Sequence, residues 1–310
     1  MKTNKFIIPQ NKRSIIAEYD NNHIKEIGKI DIPYLSKSVF IDNRLIISIC
    51  FGTKLKNRRL KIFDEYGNQL LRKTELKFES INFKDSVVYL GGQYIKNRRE
   101  LFSFIDFSNV DFIIDEIKLP VKSIEGKSID DILIRNNTLY LVDNIVFPKY
   151  IFEYNINIPN NPNHIGTYEL ENNGTYEHIK KGDINDNWII LFSSTVGMGG
   201  SYQHISIIGK ENKWNNQNVL HFCTYSPLQN NKHFSSSSKN SSIILDICII
   251  EDSLLVLKKD GLYSIELTGK NINEDIKQID DNRNKYNKLI KINNEICVIL
   301  NAEKYELLKL

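Results

Sequence analysis

No stretch of this chain comes near the roughly 20 consecutive apolar residues that cross a bilayer as a helix. The amino-terminal segment MKTNKFIIPQNKR offers only Phe6, Ile7 and Ile8 as an apolar run. A secretory leader needs a longer one, so neither a leader nor a membrane span is expected. Cysteine is scarce at four residues, Cys50, Cys223, Cys248 and Cys297, and no CxxC pair occurs. That spacing speaks against zinc and dithiol motifs. Three of the four sit inside apolar runs, LIISICF, ILDICII and EICVIL, where a free thiol behaves as a small buried hydrophobe. A reduced, cytoplasmic protein is the simplest expectation. An excess of one charge is lacking too. Lys and Arg number 41 against 38 Asp and Glu, a formal net charge of +3. Such a balance makes no general case for nucleic acid or an anionic membrane.

What the chain does have is a spaced echo. A short polar turn followed by a β-rich apolar run recurs six times: IDNRLIISICF, FKDSVVYLGG, IRNNTLYLVD, INDNWIILFS, IEDSLLVLK and INNEICVIL. The turn centres Asn43, Asp85, Asn137, Asn187, Asp252 and Asn294 lie 42 to 65 residues apart. A self-similar β unit at that period, with almost no helical pattern between copies, points to a radial array of small sheets. Within each copy the echo is the hairpin between a first and a second strand, and two further apolar runs follow. In the third copy these are DILIRN, TLYLVD, KYIFEYNI and HIGTYEL. Asn, Asp and Gly fill the turns because they tolerate the positive φ that tight hairpins require.

The predicted fold is therefore all-β: a single β-propeller domain over 1–310, with about six four-stranded antiparallel blades. The approximate blade limits are 32–76, 77–120, 121–171, 172–242, 243–282 and 283–310. Residues 1–31 supply a hairpin resembling the two outer strands of a blade. They are expected to complete the last blade, closing the array through both chain ends and covering sheet edges. One stretch is ambiguous: Ile272, Ile276 and Ile279 in KNINEDIKQIDDNRNKYNK recur at helical spacing, so either a short helix or an outer strand with a polar loop fits.

Propeller geometry sends the first-to-second and third-to-fourth strand turns to one end of the blades. The other connections go to the opposite end. The first set is short (IDNR, FKDS, RNNT, EDS), while the second includes FGTKLKNRR, GGQYIKNRR, SSTVGMGGSYQ and CTYSPLQNNKHFSSSSKN. Long connections are where function concentrates, which nominates the second end. The tetrapeptide KNRR occurs twice in equivalent loops, bringing Lys56, Arg58, Arg59, Lys96, Arg98 and Arg99 to one rim. Guanidinium forks suit carboxylate or phosphate recognition; two solvated charged loops in diverged copies is the plainer reading. Met198, Tyr202, Tyr225 and Phe234 add apolar contacts in the remaining long loops, where they either anchor a partner or plug the array.

Catalytic signals are weak. VGMGGSY is not followed by a helix or by GK[ST], and no GxSxG elbow appears. The six histidines, His23, His164, His178, His204, His221 and His233, show neither HxH nor HExxH spacing, which leaves a metal site unsupported. Acid pairs such as Asp130–Asp131 and Asp280–Asp281 are common in polar turns and carry no specificity. No catalytic residue, metal or cofactor is assigned.

The alternation DILIRNNTLYLVDN…KYIFEYNI resembles the repeat of generic β-propellers, without the Trp-Asp, double-glycine or Asp-box signatures that mark particular families. A compact repetitive chain with no catalytic motif also resembles some bacterial immunity proteins. That resemblance implies a monomer neutralising a cognate toxin domain in a 1:1 complex. Two alternatives stand beside this non-enzymatic protein-binding module. One is a hydrolase or lyase with a central-channel site. The other is an RNA-binding propeller working through the KNRR rim.

Overall fold

The computed structural model describes residues 4–10, 13–20, 22–30, 35–41, 45–50, 59–64, 66–73, 76–94, 100–108, 113–117, 129–143, 150–170, 178–197, 200–209, 217–223, 243–267, 276–281, 286–292, 296–300 and 305–309. Every regular element among them is a strand, and the strands form seven antiparallel sheets in chain order. The first holds β1 (Asn4–Pro9), β2 (Ser14–Asp20) and β3 (His23–Ile30). The second holds β4 (Leu35–Ile41), β5 (Leu45–Cys50), β6 (Arg59–Asp64) and β7 (Gln69–Lys73). The third holds β8 (Leu76–Lys84), β9 (Val87–Tyr94), β10 (Glu100–Asp106) and β11 (Ile113–Ile117). The fourth holds β12 (Ile129–Arg135), β13 (Thr138–Asp143), β14 (Tyr150–Asn155) and β15 (Asn163–Glu169). In the fifth are β16 (His178–Ile184), β17 (Trp188–Gly197), β18 (Gly200–Gly209) and β19 (Gln217–Cys223). In the sixth are β20 (Ile244–Ile250), β21 (Ser253–Lys258), β22 (Leu262–Glu266) and β23 (Ile276–Asp280). The seventh has β24 (Lys288–Lys291), β25 (Ile296–Leu300) and β26 (Tyr305–Lys309).

This is the all-β, small-sheet fold class of β-propellers. The count differs from the sequence reading: seven sheets stand where about six blades were expected. The reason is the Phe6-Ile7-Ile8 run. Too short for a leader, it pairs with Ala17, Ile16 and Ile15 and gives the amino-terminal hairpin a third strand of its own. Among the described residues each terminal sheet is drawn from its own end of the chain. The stretch with helical isoleucine spacing also resolves, because Ile276–Asp280 pairs with β22 as an outer strand.

The chain divides into two compact units, residues 1–174 and 175–310. In the first, successive sheets stack through shared cores. Ile7, Ile16, Ile30 and Phe63 join the first and second sheets, and Ile41, Ile62, Ile81, Val88, Leu90 and Ile105 join the second and third. Tyr89, Phe102, Leu141, Phe152 and Tyr154 lie in the core between the third and fourth. In the second unit Ile190, Phe192, Ile205, Ile247 and Val256 bind the fifth sheet to the sixth, and Cys248, Leu255, Tyr286 and Leu289 bind the sixth to the seventh. Each core takes alternate residues from both sheets, so the unbroken apolar runs of the echo are buried on both faces.

The echo has a physical basis. Asp85, Asn136 and Glu251 hold left-handed backbone, with φ of 52°, 54° and 49°. Each lies two residues before its second strand. Beyond the third strand, Phe107, Ile156 and Leu267 donate their N–H groups to the carbonyls of Ser86, Asn137 and Asp252. The hairpin thus caps the third strand as well as joining the first two, so its residues are fixed twice over.

Bulges recur with the same regularity. The first strand of every four-stranded sheet contains one extra residue: Ser36, Glu79, Asp130, Lys180 and Leu245. The outermost strands β3, β7, β15 and β23 each carry another, at Ile27, Leu70, Ile165 and Ile279. A bulge bends its strand and sharpens the local twist.

Candidate functional site

The inner bulges determine what the first strands present. Lys37 directly follows the bulge in β4, and its ammonium donates to Asp131 Oδ1 at 2.7 Å and to the Asp130 carbonyl at 3.3 Å, both in β12. Lys37 therefore reaches from the second sheet to the fourth. Asp131 also accepts the Ile132 N–H. Between them, Ser80 of β8 donates to the Gly91 and Ile129 carbonyls, and Asn82 donates to the Ile132 carbonyl. Gly91 is required here, because a Cβ at that position would lie 2.6 Å from Ile129 Cγ2 and also meet the Ser80 hydroxyl.

The second unit repeats the device. Lys181, directly after the bulge in β16, donates to Asp246 Oδ1 at 2.9 Å and to the Leu289 carbonyl at 3.3 Å. Asp246 takes the Ile247 and Leu289 N–H groups on its remaining lone pairs, and Asp183 takes those of Ile184 and Ile249. Burial works against the Lys181 ammonium. The charges of Asp246, Cys248 and Asp183 outweigh it, so its pKa is raised above the ordinary 10.5. Gln203 of β18 adds a paired contact, donating to the Ile244 carbonyl and accepting the Ile244 N–H.

These groups correct one reading of the sequence. Asp130–Asp131 is not a polar turn. Both residues lie in β12 and are 6% exposed, because the bulge at Asp130 turns Asp131 toward Lys37. Asp280, by contrast, ends β23 in solvent. Among the described residues no cluster of three metal-ligating side chains is assembled.

The KNRR loops are the β5–β6 and β9–β10 connections. Val39 and Ile41 of β4 pack with Ile81 and Phe83 of β8. The β5–β6 connection follows Cys50, which pairs with Leu35 at the start of β4, and the β9–β10 connection follows Tyr94, which pairs with Leu76 at the start of β8. Arg59 opens β6 opposite Cys50. Lys56, Arg58, Lys96, Arg98 and Arg99 lie outside the described residues, as do Met198, Tyr225 and Phe234. Tyr202 is in β18, opposite Thr195 and Cys223. The connections carrying Met198, Tyr225 and Phe234 follow β17 and β19.

No family model matches the chain, and no curated protein matches it in sequence. Solved structures do resemble it. A functionally unknown protein from Desulfotomaculum acetoxidans DSM 771 is 10% identical, with TM-score 0.55 over 98% of this chain and 91% of that one. Apo AztD from Citrobacter koseri is 6% identical, with TM-score 0.53 over 98% and 93%. KlAtg21, solved in complex with the coiled coil of AgAtg16, is 10% identical, with TM-score 0.51 over 88% and 80%. At such identities the likeness establishes the propeller-type fold and nothing finer.

Proposed function

We propose that this chain is a non-enzymatic protein-binding β-propeller, in its most specific form a cytoplasmic inhibitor or immunity protein that neutralises a bacterial toxin as a 1:1 complex. The observation that carries the reading is the use of the first-strand charges. Lys37 is matched by Asp131 and Lys181 by Asp246, and the carboxylates' other lone pairs hold backbone N–H groups. Acids engaged in pinning sheets together are poor candidates for proton transfer, which needs a group free to exchange its proton. Recognition then falls to the longer connections. The two KNRR tetrapeptides belong to the β5–β6 and β9–β10 connections, equivalent positions in successive sheets, and a rim formed by Arg58, Arg59, Arg98 and Arg99 would suit an acidic partner surface. That KlAtg21, a similar fold, was solved with a coiled-coil partner is in keeping with a binding role.

The test is co-expression with the product of the neighbouring gene, followed by calorimetry. Binding at 1:1 is expected, weakened at least tenfold (about 1.4 kcal/mol) when Arg58, Arg59, Arg98 and Arg99 are changed together to Ala. A footprint confined to the short hairpin turns would overturn the assignment of the binding end. Absence of binding and of neutralisation would remove the inhibitor reading. Affinity for single-stranded RNA falling steeply with salt, and lost in the same variant, would replace it with RNA binding.

A further inference from the structure

The fifth sheet ends in a strand unlike the others found at an edge. The seven sheets have fourteen end strands between them, two to each. Thirteen of these carry at least one Asp, Glu, Lys or Arg. Charge at an edge discourages pairing with another chain. The exception is β19, Gln217–Cys223, with the sequence QNVLHFC. It has no proline either, and its ladder with β18 runs from Gln217 to Cys223 without a bulge. Five other strands lack Asp, Glu, Lys and Arg: β5, β9, β17, β18 and β25. Each of those has a neighbour on both sides. β19 thus has the composition of an interior strand, yet among the described residues it has one neighbour only, β18.

The same inventory indicates what the second neighbour is. In an antiparallel ladder every second residue turns its N–H and C=O away from the strand it is paired with. β19 therefore offers a row of donors and acceptors along its open side. A strand added there needs an open edge of its own and an unbroken row to match. Among the described sheet ends, β19 alone joins such an edge to an absence of charge, so its complement is the β19 of another copy. A twofold axis sets two identical strands antiparallel, each meeting the same surface that it presents. With no charged residue on either, no like charges face each other across the ladder. Association stops at two, because β16, at the far side of the sheet, carries Lys180, Lys181 and Asp183.

We propose that β19 pairs antiparallel with β19 of a second copy of this chain, joining two four-stranded sheets into one of eight strands. The contact is one strand wide, which places it with transient rather than obligate dimers. This differs from the monomer that the resemblance to immunity proteins implies. It is independent of the partner binding proposed above, since each copy keeps its own long connections.

The experiment uses the full chain alone. Sedimentation equilibrium should show a reversible rise from 36.1 kDa toward twice that mass as concentration increases. Hydrogen exchange read by mass spectrometry needs no variant: peptides spanning 217–223 should exchange more slowly as concentration rises, and those spanning β7 and β15 should not. Asn218→Lys gives β19 the kind of charge that the other edges carry and should weaken association at least about tenfold. Asn163→Lys, on β15, should leave association unchanged. Thermal melts at low concentration check that both variants fold. In a Cys223→Ser background, cysteines placed singly from 218 to 222 should include one position that oxidises to a covalent dimer, the residue on the twofold axis. A mass of 36.1 kDa at every concentration, exchange over 217–223 that ignores concentration, or undiminished association of folded Asn218→Lys would each overturn the proposal. Protection of 217–223 that appears only with a co-expressed partner bound would assign this edge to that partner and overturn it equally.

Discussion

Replacing Lys181 with Met tests whether the first-strand charges act as fasteners. The substitution keeps most of the aliphatic length and removes only the ammonium. It deletes the 2.9 Å ion pair to Asp246 and the 3.3 Å bond to the Leu289 carbonyl. Asp246 keeps its two backbone donors but loses its counter-charge. Breaking a buried pair from one side costs about 3–5 kcal/mol. The Lys181 side chain is 29% exposed and that of Asp246 9%, so water screens part of the loss and roughly 2–3 kcal/mol is expected. At about 2–4 °C per kcal/mol, the thermal midpoint should fall by roughly 5–10 °C. The pH dependence follows from the raised pKa. A base whose folded pKa exceeds its unfolded one contributes stability that is complete below the unfolded value, here 10.5, and disappears as pH rises through the folded value. The gap between natural and Lys181→Met chains in urea melts should therefore be full at neutral pH and narrow in strong alkali. A double-mutant cycle with Asp246→Asn should return a coupling of about 1–2 kcal/mol. A neutral-pH cost below about 0.5 kcal/mol, or additive single effects, would refute the reasoning.

Gly91→Ala should destabilise by about 2–3 kcal/mol in denaturant titrations, because the new methyl meets Ile129 and the Ser80 hydroxyl. Adding Ser80→Ala should recover part of that. Tyr154→Phe and Tyr89→Phe should diverge in thermal melts. The buried Tyr154 hydroxyl has no hydrogen-bond partner among the described residues, so its removal should be neutral or stabilising. Tyr89 donates to the Pro159 carbonyl at 2.8 Å, and its loss should cost about 1 kcal/mol. Burial also pushes the Tyr154 phenol up to about 12, so absorbance titration should show a tyrosine ionising above pH 10 that vanishes in Tyr154→Phe. Gln203→Leu should cost about 2–3 kcal/mol in chemical unfolding, since it strips both amide partners from the buried Ile244 backbone.

Strand order was legible because it is written locally. The positive-φ positions at Asp85 and Asn136 lie within turns whose Asn and Asp composition announced them, and the apolar run that follows each turn reappears as β9 and β13, buried on both faces. Glu251 adopts the same conformation beside Asp252, the Asp that marks the turn of its copy. The first-strand pins were not legible. Lys37 and Asp131 are 94 residues apart, and their meeting depends on bulges at Ser36 and Asp130 that interrupt the very alternation used to find strands. An acid pair read on its own therefore passes for a turn. Ile276 and Ile279 show the same effect in reverse, since the bulge at Ile279 gives an outer strand a three-residue, helix-like spacing. The nominated loop side chains remain an inference from connection length, as nearly all fall outside the described residues.

The outer bulges have a consequence for how this molecule can be approached. Leu70, Ile165 and Ile279 are 56%, 52% and 37% exposed, each the supernumerary residue of a strand that ends its sheet. A foreign segment laid along such a flank finds the row of amides and carbonyls out of step halfway down, so strand donation from another polypeptide has no continuous template there. Whatever associates with these sheets from outside must be selected by side chains and connections, a mode that permits fine discrimination between otherwise similar surfaces.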